Sequence, residues 1–131
     1  MWSFLLSLFG CANSESKSDK ISLEKIQDMF SNMKNQGVDT DKKMLWGYFF
    51  TSNKNDKFEQ VINELKKQKF EFVETYQNED KTYWLHFERI EIHNAKSLYE
   101  IDEILYEIAE KYEINYDGFD VGNIHKGKGI E

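Results

Sequence analysis

Apolar side chains recur every three or four residues in three segments of the chain, which places them on one face of a helix. Ser22 is a suitable N-cap for the first helix and Gly37 a suitable stop. Residues 52–56 supply capping residues for the second, and Asn94 with the capping-box pattern of residues 97–100 announces the third. The apolar positions of the three helices are Leu23, Ile26, Phe30 and Met33; Phe58, Val61, Ile62 and Leu65; and Leu98, Ile101, Ile104, Leu105, Ile108 and Tyr112.

Four other segments have the composition and length of strands. Residues 44–51 form a dense aromatic run between polar turns, and residues 70–76 and 81–93 follow on either side of a polar turn. Residues 116–124 form the last strand. Alternation places Phe70, Phe72, Glu74 and Tyr76 on one face of the second strand. In the third strand Tyr83, Leu85 and Phe87 alternate with Trp84, His86 and Glu88.

The order of elements from Met44 onward is strand, helix, strand, strand, helix, strand, which predicts a ferredoxin-like α+β sandwich. In that fold two helices cover one face of a four-stranded antiparallel sheet, and here an extra helix precedes them. The chain therefore divides into an apolar leader and polar linker (1–20), an N-terminal helix and connection (21–43), the sandwich (44–124) and a flexible tail (125–131).

The leader is almost wholly apolar over residues 1–10 and ends at Cys11, the only cysteine. It is too short to span a bilayer as a helix, which takes about 20 residues. An apolar run followed by cysteine resembles a bacterial lipoprotein signal, in which Cys11 would be lipidated, although a basic N-terminus is missing. An uncleaved tail that contacts a membrane or partner through residues 1–11, or a misplaced start codon, are the alternatives. In each case residues 1–20 are expected outside the folded core.

The formal net charge of -7 makes direct binding of nucleic acid improbable and suits a basic protein partner. The charge is uneven: residues 97–114 have one lysine, Lys111, whereas residues 55–69 have four. This asymmetry predicts either a solvated surface or docking onto a Lys- and Arg-rich segment. The acidic residues of the third helix are Glu100, Asp102, Glu103, Glu107, Glu110 and Glu113.

No catalytic apparatus, metal site or cofactor site is evident in the sequence. His86 and His93 are seven residues apart on a strand and should project from opposite faces, while His125 lies in the tail. A hydrolase using Asp117 and Asp120 is conceivable but has no further support. Stacking of RNA bases on exposed rings is a weaker alternative because few cations could hold the phosphates. The rings in question are Trp46, Tyr48, Phe50 and Trp84.

Three motifs resemble the regulator of ribonuclease activity B family. They are Trp46-Gly47-Tyr48-Phe49-Phe50, Tyr83-Trp84-Leu85-His86 and Tyr116-Asp117-Gly118-Phe119-Asp120-Val121-Gly122, in that order over about residues 44–124. The resemblance implies a ferredoxin-like domain that binds bacterial endoribonuclease E and lowers or redirects its cleavage of RNA without chemistry of its own. It also implies a cytoplasmic location, with which an apolar leader ending in cysteine conflicts.

The sequence therefore predicts a non-catalytic regulator with a protein partner, an endoribonuclease, and no cofactor. The alternative is a membrane-anchored lipoprotein, tethered through Cys11, that acts as a binding or immunity-type module for an unknown protein. The predicted protein-binding residues are Glu100, Asp102, Glu103, Glu107, Glu110, Asp117, Gly118, Phe119 and Asp120.

Overall fold

The computed structural model describes residues 20–124 and the backbone of residues 3–5. Within these residues the chain forms three helices and five strands. The helices are α1 (Leu23–Asn35), α2 (Phe58–Lys67) and α3 (Ala95–Tyr112). The strands are β1 (Ser3–Leu5), β2 (Met44–Ser52), β3 (Glu71–Gln77), β4 (Tyr83–Glu91) and β5 (Asn115–Gly122).

The strands form one antiparallel sheet in the order β1-β5-β2-β4-β3. The four strands β5-β2-β4-β3, with α2 and α3 as the connections, have the arrangement of a ferredoxin-like fold, which confirms the predicted α+β class. The inward faces of all three helices pack into one core with the same face of the sheet. None of the described helices lies over the other face of β2–β5.

Strand β1 differs from the expectation that residues 1–20 lie outside the folded part. Ser3–Leu5 pairs with β5, with Ser3 opposite Gly122 and Leu5 opposite Asp120. Without β1 the outer edge of β5 would present unpaired N–H and C=O groups, so a short extra strand satisfies part of that edge. Cys11 and the tail with His125 lie outside the described residues.

The core is built from the alternate side chains of β2. Trp46, Tyr48 and Phe50 are fully buried, and across the sheet they meet Leu85 and Phe87 of β4. A strand with period-two alternation presents one set of side chains to the helices and the other to the opposite side. Three of the four rings considered for RNA stacking are therefore core residues.

At the N-terminal ends of the helices, one predicted cap is confirmed and two differ from the prediction. The Ser22 hydroxyl caps α1 by accepting from the N–H of Lys25. The capping box of α3 begins three residues earlier than predicted, because Asn94 is the N-cap and Ser97 takes the third position. Helix α2 begins after Lys57 without a side-chain cap, so residues 52–56 do not cap it.

Two irregularities change which side chains face the helices. In β3 the register shifts between Phe72 and Glu74, so Phe72 faces the core opposite Phe87 while Glu74 lies opposite His86 on the other face. The prediction that Phe72, Glu74 and Tyr76 share a face is therefore wrong. A second shift, between Phe49 and Phe50 of β2, leaves Asp117 of β5 as the extra residue of a bulge.

Replacement of Gly118 should destabilise the protein, because Gly118 follows this bulge with φ at +110°. An alanine is sterically disfavoured there, so we expect Gly118→Ala to reduce the free energy of unfolding by about 1–3 kcal/mol. Urea denaturation would measure the loss, with Asn115→Ala in the same strand as the matched control. An unchanged midpoint for Gly118→Ala would contradict the requirement for glycine.

Candidate functional site

The side of strands β2–β5 opposite the described helices, called here the open sheet face, gathers side chains from four strands. Cross-strand pairing brings Phe49 beside His86 and Gly47 between Glu88 and Asp120. The bulge in β3 adds Glu74 and Tyr76 to the same side. The face thus includes Leu45, Gly47, Phe49, Glu71, Glu74, Tyr76, Trp84, His86, Glu88, Ile90, Asp117 and Asp120.

Four rings form a continuous aromatic row across this face: Tyr76, Trp84, Phe49 and His86. The rings of Tyr76 and Trp84 are parallel with centroids 6.0 Å apart, and Phe49 meets Trp84 edge-on at 6.2 Å. His86 stacks on Phe49 with centroids 4.3 Å apart. Tyr76 keeps 41% of its surface exposed, and the other three rings are half-buried. These rings therefore offer apolar area to a partner without belonging to the core.

Five carboxylates surround the aromatic row: Glu71, Glu74, Glu88, Asp117 and Asp120. Their influence is visible in Tyr76, whose pKa is raised by burial and then by the charges of Glu74 and Asp117. In the described strands β2–β5 no lysine occurs, and the one arginine, Arg89, lies on the opposite side over the ring of Phe70 at 4.3 Å. The open sheet face is therefore strongly negative.

Gly47 makes room for the most crowded part of this charge. A Cβ atom at position 47 would lie 2.5 Å from Oδ1 of Asp120 and 3.1 Å from Nε2 of His86. The carboxylate of Asp120 consequently lies close to the backbone of β2 at Gly47. Burial and the nearby Glu88 carboxylate raise its pKa to about 6, against a hydrogen bond from the Gly47 backbone that lowers it.

Helix α3 presents a second acidic surface, on the other side of the molecule. Glu100, Glu107 and Glu110 are exposed and Glu103 is half-buried. Because α3 covers the face of the sheet opposite Asp117 and Asp120, the structure does not bring these two groups of carboxylates together. Six of the nine residues singled out from the sequence thus fall on two separate surfaces.

Three of those residues do not lie on either surface. Asp102 keeps only 2% of its surface exposed, and Phe119 is a core residue whose ring lies 6.1 Å from that of Trp46. Gly118 is buried at the bulge. The sequence reasoning placed these residues in a binding surface because it followed charge and motif rather than burial. Sequence reasoning did not identify five other residues of the open sheet face: Phe49, Glu71, Glu74, Tyr76 and Glu88.

Asp102 instead belongs to a buried polar contact between α3 and β5. The Tyr116 hydroxyl donates to its Oδ1 at 2.7 Å, while Oδ2 has no hydrogen-bond partner within the described part of the chain. Burial raises the pKa of Asp102 to about 7, although the Tyr116 hydrogen bond lowers it and Glu103 raises it further. This carboxyl has a structural environment unlike that of the surface acids.

A second polar cluster joins β4 to the start of α3. His93 is buried, with Nε2 at 2.8 Å from Oε2 of Glu91 and Nδ1 at 2.9 Å from the Ser97 hydroxyl. Serine, histidine and glutamate also form catalytic triads, but here the Ser97 hydroxyl accepts from Asn94 N–H and donates to Asn94 O as part of the capping box. The cluster therefore fixes the entry into α3, and His93 lies on the opposite side of the sheet from His86, as predicted.

No group of three or more His, Cys, Asp or Glu side chains in residues 20–124 could hold a metal ion. Among the helices described, none is both long and apolar enough to cross a bilayer.

The described residues form a ferredoxin-like domain with two acidic surfaces, the open sheet face and the exposed side of α3. The family model named Regulator of ribonuclease activity B matches residues 23–121, from the first residue of α1 to the penultimate residue of β5. The chain belongs to this family, as the three sequence motifs indicated. Family membership implies a part in regulating ribonuclease activity. A search of curated proteins gave no match.

Proposed function

We propose that this protein binds an endoribonuclease of the ribonuclease E type and lowers or redirects its cleavage of RNA, without chemistry of its own. The family supplies the class of target. The observation that supports a direct protein contact is the open sheet face, where five carboxylates and an aromatic row lie together and which no lysine or arginine of the described strands faces. Such a surface complements a basic segment of a partner.

The charge of this surface favours the nuclease over its RNA substrate as the binding partner. RNA is held through its phosphates by cationic side chains, and those of strands β2–β5 are confined to Arg89 on the helix-covered side. Regions of a nuclease that bind RNA are themselves basic. An acidic surface can occupy such a region and so compete with RNA for it, which would lower cleavage without touching the catalytic centre.

The ionisable groups that could serve catalysis have structural explanations, which supports a non-catalytic role. Ser97 and His93 hold the start of α3, and Asp102 is buried against Tyr116. Asp117, considered above for a hydrolase, lies exposed among other carboxylates rather than beside a base in a cleft.

Purified full-length protein should form a complex with an endoribonuclease E and slow its cleavage of a structured RNA at micromolar concentration. Because the contact is electrostatic, we expect the complex to weaken several-fold between about 50 and 200 mM salt. Co-purification on affinity resin and a gel-based cleavage assay measure the two effects.

The matched control is a ribonuclease without a basic RNA-binding segment, which should be unaffected. Equal slowing of both nucleases would indicate sequestration of the RNA, and the absence of both complex and slowing would refute the proposed function.

A further inference from the structure

We propose that the open sheet face is a docking surface for an extended, arginine-bearing segment of a partner protein, with guanidinium groups stacked on the aromatic row between its flanking carboxylates. This inference rests on the proposed function in taking a protein as the partner, and it specifies the surface and the chemistry that recognise it.

Negative charges are crowded on the open sheet face. Glu71 and Glu88 lie directly opposite each other on neighbouring strands, an arrangement that is destabilising for like charges. Asp120 and Glu88 flank Gly47 from the two sides, and their proximity raises the pKa of Asp120 to about 6 after burial has acted. Nε2 of His86 lies 3.8 Å from Oε2 of Glu88, and a bound cation would add to this contact and reduce both repulsions. No lysine or arginine of the described strands faces this side to do so.

The arrangement of the aromatic row favours a planar cation. Trp84 stands at its centre, half-buried, with Tyr76 parallel on one side and Phe49 edge-on towards the other. Exposed aromatic faces attract cations, and arginine stacks on them with its planar group while still donating to two carboxylate oxygens. Lysine is a point charge that cannot do both. Rings and carboxylates together therefore favour arginine.

The carboxylates of the open sheet face are distributed across the width of the sheet. Glu71 and Glu74 lie on the edge strand β3, whereas Asp117 and Asp120 lie on β5, three strand spacings or roughly 14 Å away. An extended chain advances about 3.3–3.6 Å per residue, so roughly five residues cross this width. Arginines at alternate or third positions would meet carboxylates on both sides of the aromatic row.

The test is titration of the full-length protein with three nine-residue peptides, identical except that three spaced positions are Arg, Lys or Gln. Calorimetry reports affinity. We expect the Arg peptide to bind at least fivefold more tightly than the Lys peptide and the Gln peptide to show no binding.

Two charge-matched variants locate the contact. Glu74→Gln with Asp117→Asn removes two charges from the open sheet face and should weaken the Arg peptide at least tenfold. Glu100→Gln with Glu107→Gln removes two charges from α3 and should change its affinity less than twofold.

Two further variants test the aromatic row and the space that Gly47 leaves for the Asp120 carboxylate. Trp84→Leu should abolish the preference for Arg over Lys, with circular dichroism confirming the fold. Gly47→Ala leaves net charge unchanged but displaces the Asp120 carboxylate, and it should weaken the Arg peptide severalfold.

Several outcomes would contradict the proposed docking surface: loss of peptide binding in the α3 variant but not in the open-face variant, equal affinity for Arg and Lys, or tighter binding of a single-stranded RNA than of the Arg peptide.

The same variants separate this inference from the proposed function. If the nuclease is bound and inhibited equally by the open-face variant, the function holds and the docking surface is wrong. If the peptides behave as expected but the nuclease is neither bound nor inhibited, the docking surface holds and the function is wrong.

Discussion

Asp102→Asn should make the protein relatively more stable than wild type as pH rises, with the change concentrated between about pH 4 and pH 7. In the native state burial raises the pKa of the Asp102 carboxyl from 3.8 to about 7. A pKa difference of roughly three corresponds to about 4 kcal/mol of free energy between the protonated and ionised forms of the folded protein. We therefore expect the stability difference to change by about 3–4 kcal/mol across this range.

The direction follows from proton binding. The folded protein holds the Asp102 proton more tightly than the unfolded chain does, so the carboxyl stabilises the fold fully below pH 3.8. That stabilisation is lost as pH rises through the folded value of about 7, where the buried group must ionise with Oδ2 lacking a hydrogen-bond partner in the described structure. Asparagine cannot ionise, and it retains an acceptor for the Tyr116 hydroxyl.

Denaturant unfolding at half-unit pH intervals would measure the effect. Glu110→Gln, an exposed carboxylate of the same helix, is the matched control and should leave the pH profile unchanged. Tyr116→Phe removes the hydrogen bond that lowers the pKa of Asp102, so its midpoint should move to higher pH. Parallel profiles for wild type and Asp102→Asn would show that the carboxyl is already ionised or solvated in the folded protein.

Asp102 also shows how a pattern in the sequence can be outweighed by another. It was assigned to the acidic surface because five other acids share its helix. Yet it lies four residues after Leu98 and three before Leu105, so the helical period that predicted α3 also places position 102 inward. Charge composition describes a segment as a whole, whereas periodicity describes each position. The second criterion was the better guide to burial.

The fold was largely predictable because its regular parts follow simple periods. Alternation in residues 81–93 predicted that Tyr83, Leu85 and Phe87 face away from Trp84, His86 and Glu88. The structure confirms this separation and places Leu85 and Phe87 in the core. The bulge in β3 was not predictable, because no glycine or proline marks it in the sequence. Its one extra residue moves every later side chain of the strand to the opposite face of the sheet. Consequently Glu74 and Tyr76 were assigned to the wrong face.

The candidate site was only partly predictable for a related reason. Asp117 and Asp120 were identified by their motif, but their neighbours come from β3 and β4, which are distant in sequence. Only the strand order β5-β2-β4-β3 and the two register shifts bring Tyr76, Trp84 and Asp117 onto one surface. Fold class alone did not reveal that α3 and the Asp117–Asp120 segment lie on opposite sides of the sheet.

Glu91 should have the opposite pH dependence from Asp102, because its carboxylate is stabilised in the folded state. Burial acts to raise its pKa, but a hydrogen bond from His93 and the charges of His93 and Arg89 outweigh burial and lower it from 4.5. Arg89 approaches Oε1 at 2.8 Å, and the Tyr48 hydroxyl donates to Oε2 at 3.3 Å. The ionised form thus joins β2, β4 and the start of α3.

Glu91→Gln should reduce the free energy of unfolding by about 2–3 kcal/mol at pH 7, since hydrogen bonds to a charged group are lost while the volume is kept. The stabilisation from Glu91 is present above pH 4.5 and is lost as pH falls through its lowered folded pKa, so the difference from wild type should shrink in acid. Making the Glu91→Gln substitution in the Asp102→Asn background removes the opposite pH dependence that Asp102 contributes to stability. Glu74→Gln, an exposed acid, is the control. A loss that stays constant from pH 7 to pH 3 would mean that Glu91 acts through packing rather than through its charge.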